Sequence, residues 1–361
     1  MKIIKTILML SVFVVINACE SPITHETKYY SDFPNTIQLN SNRIDGISKD
    51  FFTPFIGLKD SLLIFCDTES SPHFHIYQLP DFAPIGNFGV EGYGPSDIST
   101  PVFWNQMVKK GDTYQLWFFQ LDLMRLTKID IAKYLNNSEA LPEYEIELPP
   151  EIDQAVNIIA LNDSIIIGTG YAAKGAFFKY NINADSFSWI EYPKRDEKAN
   201  LQDLLIENDL YEEYNLGIIR IKPDGSRFVK SNLYRPTLDV YDHACKLLFS
   251  LEKSTFTPLK LEANTRNMPL YTNLYYSNLF LTDSHIYALH YNCTLGQIGN
   301  DECQDVEIHV FDWDGNPVCK YLLNDGIHSF GSFVVDESNK NIYTINPKDE
   351  DHYYYQYDID Y

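Results

Sequence analysis

Residues 86–97 read GNFGVEGYGPSD. Glycines gathered beside carboxylates are the material of a phosphate-cradling loop, where backbone N–H groups at a helix N-terminus receive the anion. That chemistry needs a helical period after the glycines, usually with a Lys-Ser or Lys-Thr pair. Here Gly94 is followed by Pro-Ser-Asp-Ile-Ser-Thr-Pro and then VFWNQMV, which offers neither. The glycine order is G-x-x-G-x-G, the reverse of the dinucleotide fingerprint. The stretch therefore reads as a connection between strands. Its glycines permit the positive φ of a sharp return, and Pro95 stiffens it.

Other reactive arrangements are missing from the sequence. It has no G-x-S-x-G nucleophile elbow, no H-E-x-x-H zinc helix and no EF-hand loop. His73 and His75 stand two apart on a strand-like run, which would set both on one face, a spacing that a metal could use. Acidic residues recur in loops instead: Asp67, Glu69, Glu91, Asp97, Asp122 and Asp349.

The elements that must position these residues show themselves as a repeat. Six tight-turn signals lie between apolar runs: Asp60-Ser61, Gly111-Asp112, Asp163-Ser164, Asp224-Gly225, Asp283-Ser284 and Asn339-Lys340. Downstream of each comes an alternating run ending in an aromatic or aliphatic residue, at Tyr77, Ile129, Tyr180, Tyr241, Phe311 and Tyr357. The markers recur at intervals of 46–70 residues, and after most of them one further short run follows. Each unit thus reads as strand, Asp-type turn, strand, loop, strand, turn, strand. Four antiparallel strands repeated six times describe an all-β, six-bladed β-propeller over residues 35–361. The last unit ends before a fourth strand, and NTIQLNSN (35–42) is expected to supply it and close the ring.

The N-terminus carries an address. Lys2 and Lys5 precede an apolar run, Ile7–Ile16. This is too short to span a bilayer, which takes roughly 20 residues, but it suits a secretory signal. Ile16-Asn17-Ala18-Cys19 resembles a bacterial lipobox, so residues 1–18 are expected to be a lipoprotein signal peptide and Cys19 the acylated residue. Residues 19–34 read as a polar tether. The expected location is the outer membrane, on its periplasmic or its surface face.

Charge excludes one class of partner. The 361-residue chain has 28 basic and 50 acidic residues, a net charge of −22, and such a surface repels nucleic acid. Cys66, Cys245 and Cys319 sit within apolar runs and read as buried hydrophobes. Cys293 and Cys303 flank a polar loop, and an exported chain allows them a disulfide.

With the lipobox, the repeats and Gly92-Tyr93-Gly94-Pro95-Ser96-Asp97 in view, the chain resembles the TolB-like six-bladed propellers, especially the lipoproteins of that type in Bacteroidetes. The resemblance includes a G-x-G-P-x-E run, with Asp97 standing where glutamate is usual. It implies fold and address and assigns no activity. Blade crossovers and loops between second and third strands share one mouth of the channel. Asp67, Glu91, Asp97, Asp122, Tyr171 and Arg235 are therefore the candidate ligand-binding residues, with Lys174 and Arg235 available to an acidic or sugar ligand. Two functions follow. One is a lipid-anchored binding module for a glycan, a peptide or an envelope protein, without cofactor. The other is a calcium-dependent hydrolase or lyase, by similarity to propeller hydrolases of the lactonase kind that hold calcium with acidic residues.

Overall fold

The computed structural model describes residues 25–44, 47, 55–137, 139–152, 154–171, 173–195, 210–256, 272–300, 302–303, 306–323, 332–345 and 354–359. Cys19 and Asp349 lie outside them, as does the signal segment. Three strands precede the first blade: β1 (Glu26–Tyr30), β2 (Thr36–Leu39) and β3 (Ser41–Ile44). Blade one is β4 (Phe55–Lys59), β5 (Leu62–Cys66), β6 (Phe74–Gln78) and β7 (Ala83–Phe88). Blade two is β8 (Pro101–Lys110), β9 (Thr113–Gln120), β10 (Arg125–Asp130) and β11 (Tyr144–Glu147). Blade three is β12 (Ala155–Asn162), β13 (Ile165–Gly170), β14 (Phe177–Asn181) and β15 (Ser186–Ile190). Blade four is β16 (Ile219–Ile221), β17 (Arg227–Ser231), β18 (Thr237–Asp242) and β19 (Leu247–Lys253). Blade five is β20 (Asn273–Leu281), β21 (His285–Thr294), β22 (Glu307–Asp312) and β23 (Pro317–Leu323). Blade six is β24 (Phe333–Asp336), β25 (Asn341–Ile345) and β26 (Tyr354–Asp358), completed by β3.

This is a six-bladed β-propeller. The six turn signals fall between the first and second strands of the six blades, and the six marker residues all lie on third strands. The reason is packing. A blade buries both faces, so alternate residues of one strand go to different neighbours. Leu116 and Phe118 of β9 join the core shared with blade one, while Trp117 and Phe119 join the core shared with blade three. In blade one, Ile64 and Ile76 pack towards blade two, and Leu63, Phe65 and Tyr77 pack into the cluster that holds Tyr343 and Tyr357 of blade six.

The N-terminal segment departs from expectation in two places. Closure comes from β3, whose Ser41 and Ile44 pair antiparallel with Tyr357 and Tyr354 of β26. Residues 36–39 of the run expected to close the ring instead add to blade five, where β2 runs parallel to β23. The segment read as a tether also contains structure: β1 runs parallel to β19 of blade four. The chain therefore straps across the outer edges of three successive blades and covers edges that would otherwise be open to foreign strands. Its apolar residues explain why: Tyr30, Leu39 and Ile44 are buried and Ile37 is partly so.

Cys293 and Cys303 form a disulfide with Cα atoms 5.8 Å apart, closing the loop between β21 and β22. Cys66, Cys245 and Cys319 are buried and unpaired.

Candidate functional site

The first strand of each blade, β4, β8, β12, β16, β20 and β24, forms one edge of its sheet and meets its neighbours around the axis. Inner-edge N–H and C=O groups need partners outside the ladder. Amide side chains supply several of them. Asn105 Oδ1 accepts the Leu58 N–H of blade one at 2.9 Å. Gln106 reaches blade three, where its Oε1 accepts the Ala160 N–H at 3.1 Å and its Nε2 donates to the Ala160 carbonyl. Asn157 Oδ1 accepts the Ile219 N–H of blade four at 2.6 Å.

Placing Asn105 and Gln106 so requires a distortion of β8. Its pairing with β9 passes from Val102–Phe119 to Gln106–Trp117, which inserts two extra residues, and Asn105 takes φ +56°. Asparagine tolerates that region better than most side chains. Opposite the bulge stands Gly57, where a Cβ would overlap the Phe103 ring and lie 2.8 Å from Asn105 Oδ1. Glycine is what lets blades one and two close here.

Where the inner strands enter their first hairpins they part around an axial cavity of about 490 Å³. All six blades contribute to its lining, among others through Asp60, Trp104, Asp163, Arg220, Asp283 and Glu337. Most of its charges are matched. Asp60 accepts from Tyr114 Oη at 2.8 Å and Lys109 Nζ at 3.2 Å, bonds that hold its carboxyl below the usual range. Asp163 pairs with Lys128 at 2.9 Å. Burial pushes the Glu337 carboxyl up, but bonds from His285, Thr282 and Tyr287 outweigh it and hold the group low.

Arg220 is different. It is 8% exposed, and burial alone pushes its guanidinium down to about 9. Nη1 donates to the Ile219 carbonyl at 2.8 Å, Nη2 donates to Asn278 Oδ1 at 3.1 Å, and the guanidinium carbon lies 5.1 Å from the Trp104 ring centroid. None of these partners is a carboxylate. A guanidinium has five N–H donors. A desolvated charge without a counter-charge is costly, and an anion entering the cavity would relieve that cost.

This cavity opens on the face opposite the one expected from the sequence. First-to-second-strand hairpins surround it, whereas crossovers and second-to-third-strand loops lie at the other ends of the strands. On that other face, the structure gathers four of the six expected ligand-binding residues at the crossover between blades one and two, where the carboxylates of Asp67, Asp97 and Asp122 bond the protein's own loops. Asp67 is buried, and its Oδ1 accepts the Glu69 N–H. Glu91 donates its N–H to Ser71 Oγ and bridges to Ile98. Asp97 Oδ2 accepts the Gly94 N–H at 2.8 Å and fills the space over Gly92 and Gly94. The glycines of this stretch thus make room for a carboxylate of the chain itself. Asp122 accepts from Thr100 Oγ1 at 2.6 Å and Ser99 Oγ at 3.2 Å. Tyr171 is exposed in blade three and Lys174 is exposed beside it. Arg235, expected to be available to an acidic or sugar ligand, is buried, 3.7 Å from Glu252 and flanked by the Tyr214 and Phe256 rings. His73 is buried too, with its ring nitrogens 2.9 and 3.1 Å from the Asp67 and Ile98 carbonyls, and neither it nor His75 belongs to a group of three or more converging metal-ligand side chains among the described residues.

Sequence reasoning passed over Arg220, Trp104 and the inner-strand amides. The signal available was polar residues, WNQ and IRI, within runs that otherwise read as buried first strands.

The family described as TolB-like 6-blade propeller-like matches residues 32–338. The chain belongs to that family. Among solved structures it is similar to a member of the DUF4221 family from Bacteroides vulgatus, with 11% identity, 92% of this chain and 98% of that one covered, and a TM-score of 0.53. It is also similar to a putative exported protein from Bacteroides fragilis, with 9% identity, 94% and 99% coverage and a TM-score of 0.54. At these identities the likeness concerns the fold. No curated protein matches the chain.

Proposed function

We propose that this propeller is a binding module that takes an anionic ligand in its axial cavity. The observation that carries the reading is Arg220, a buried guanidinium in a ring-lined cavity with no carboxylate among its partners. Of the glycan and peptide ligands considered, an acidic glycan fits best. Arg220 meets its carboxylate, the amide N–H groups of Asn105, Gln106 and Asn162 not used in backbone bonds donate to hydroxyls, and the partly exposed Trp104 indole offers apolar surface to a sugar ring.

Titration of the purified domain with uronate oligosaccharides and their neutral counterparts tests this. Binding of the acidic series alone is expected, and Arg220→Met should weaken it at least tenfold while Arg220→Lys weakens it less. Equal binding of both series, or unchanged binding in Arg220→Met, would overturn the reading. A calcium requirement with bond cleavage would favour the hydrolase or lyase instead.

The address is proposed on the sequence of residues 1–19, with Cys19 acylated and the propeller held at the outer membrane. Only six residues separate Cys19 from β1, so the edge of blade four would stay within about 25 Å of the anchor. Labelled palmitate should enter the wild type and not Cys19→Ala.

A further inference from the structure

Blade five holds a second polar cluster outside the axial cavity, on the face it packs against blade four. The ladder sets Tyr276 opposite His290, His290 opposite Glu307, and Ala288 opposite His309, which puts all of these on one face. The donor atoms of His290, Glu307 and His309 lie within 4.8 Å of one another. His309 Nε2 is 2.6 Å from Glu307 Oε2, and its Nδ1 is 2.9 Å from the Tyr276 hydroxyl, which is 2.7 Å from the Tyr30 hydroxyl of β1. His290 is 3% exposed, and its Nδ1 stands 3.5 Å from Glu307 Oε2. Neither of its ring nitrogens has a hydrogen bond. A buried imidazole left so is costly, and nothing in its own blade accounts for it.

We propose that His290, Glu307 and His309 form a binding site for a divalent transition metal, with Zn²⁺ the best match to two imidazoles and one carboxylate. With Nε2 of His309 on the metal, its Nδ1–H donates to Tyr276, whose hydroxyl donates on to Tyr30, an outer shell that fixes tautomer and orientation. The two imidazoles stack with centroids 4.1 Å apart at 21°, and two near-parallel rings must splay to point at one ion. Coordination therefore turns the His290 ring towards Glu307, a motion that breaks no hydrogen bond of that ring.

Lys320 Nζ lies 3.3 Å from Glu307 Oε1 and 3.7 Å from Asp32 Oδ1. It balances Glu307 in the metal-free protein, and the cation takes over that role as Lys320 shifts towards Asp32. The Lys253 charge also bears on both histidines and opposes the cation. Glu307 and Lys320 are partly exposed and form the entry path, while the Phe33 ring, 4.5 Å from that of His309, covers the other side. The bound metal would fasten the N-terminal strap to blades four and five.

The test uses the full tag-free domain, stripped with a chelator and titrated with Co²⁺ and Zn²⁺. We expect one equivalent of Co²⁺ to develop the visible bands of a tetrahedral site, and Zn²⁺ to raise the melting temperature. His290→Phe, which keeps the packing, should abolish both responses. Tyr276→Phe should weaken binding about 10- to 100-fold. Lys320→Met should tighten it by removing the competing charge. Absence of both responses in wild type overturns the site, and so does binding that His290→Phe leaves unchanged. Binding that Lys320→Met weakens overturns the placeholder role of that lysine.

Discussion

Arg195 stands after the outer strand of blade three, yet its guanidinium is buried in blade four. Nη2 contacts both Asp239 oxygens at 2.7 and 2.8 Å, and Nη1 contacts Glu252 Oε1 at 2.5 Å. Side-chain exposure is 7% for Arg195 and 4% for Asp239. Arg195→Met keeps the apolar stem and removes the charge, stranding a buried carboxylate. Breaking a buried pair from one side costs about 3–5 kcal/mol. Asp239 retains a bond from Ser250 at 2.6 Å and the field of Lys230, which favours the lower end. An unfolding entropy of ~2.1 cal/mol/K per residue gives about 0.75 kcal/mol/K for a 361-residue chain. The melting temperature should therefore fall by about 4–7 °C at neutral pH, read by calorimetry or circular dichroism.

The acid limb offers a second readout. Burial pushes the Asp239 carboxyl up, but Arg195 and Lys230 hold it below its ordinary value. Its stabilising contribution is complete above the unfolded value of about 3.9 and is lost as pH falls through the folded one. Without Arg195 the folded value rises, so acid unfolding should begin at higher pH. If Arg195→Met melts within about 1 °C of wild type and its acid limb does not move, the buried-pair reasoning is wrong.

Three further outcomes are expected. Replacing Cys293 and Cys303 with serine should cost about 2–3 kcal/mol, because a ten-residue separation is no longer closed in the unfolded chain, and unreduced peptide mapping of wild type should recover the two cysteines linked. Asp97→Ala should cost about 1 kcal/mol and raise proteolysis within residues 90–98, since it removes the acceptor that holds Gly94 and the atoms that fill the glycine loop. Tyr30→Ala should cost about 3–5 kcal/mol and raise amide exchange in β1, because the ring packs on Phe33 and Phe311 and its hydroxyl meets Tyr276.

Blade number and strand order were legible because their causes are local. An Asp-Ser or Asp-Gly reversal needs only a few neighbouring residues, and two-residue alternation records that both faces of a strand are buried. So Asp60-Ser61 marks the first hairpin and Tyr77 the third strand without knowledge of any other blade. Tertiary structure decided what depends on distant partners. Ile44 and Tyr354 pair across almost the whole chain, and nothing near either one names the other. The strap followed the same logic: residues 26–30 read as polar tether, yet Tyr30 is buried because Tyr276 and Phe311 wait for it in blade five. Asp97 and Asp122 were expected at a channel mouth, and only the folded loops show the bonds they accept from the chain's own N–H and O–H groups. Arg220 in IRIKPDGS reads as a charge beside a turn; ring closure places it on the axis, against Trp104 and Asn278 of two other blades. His290 and His309 are nineteen residues apart in sequence and stack only because β21 and β22 pair. Short-range turn chemistry and alternation are written in consecutive residues, whereas the meeting of two blades depends on the whole ring closing.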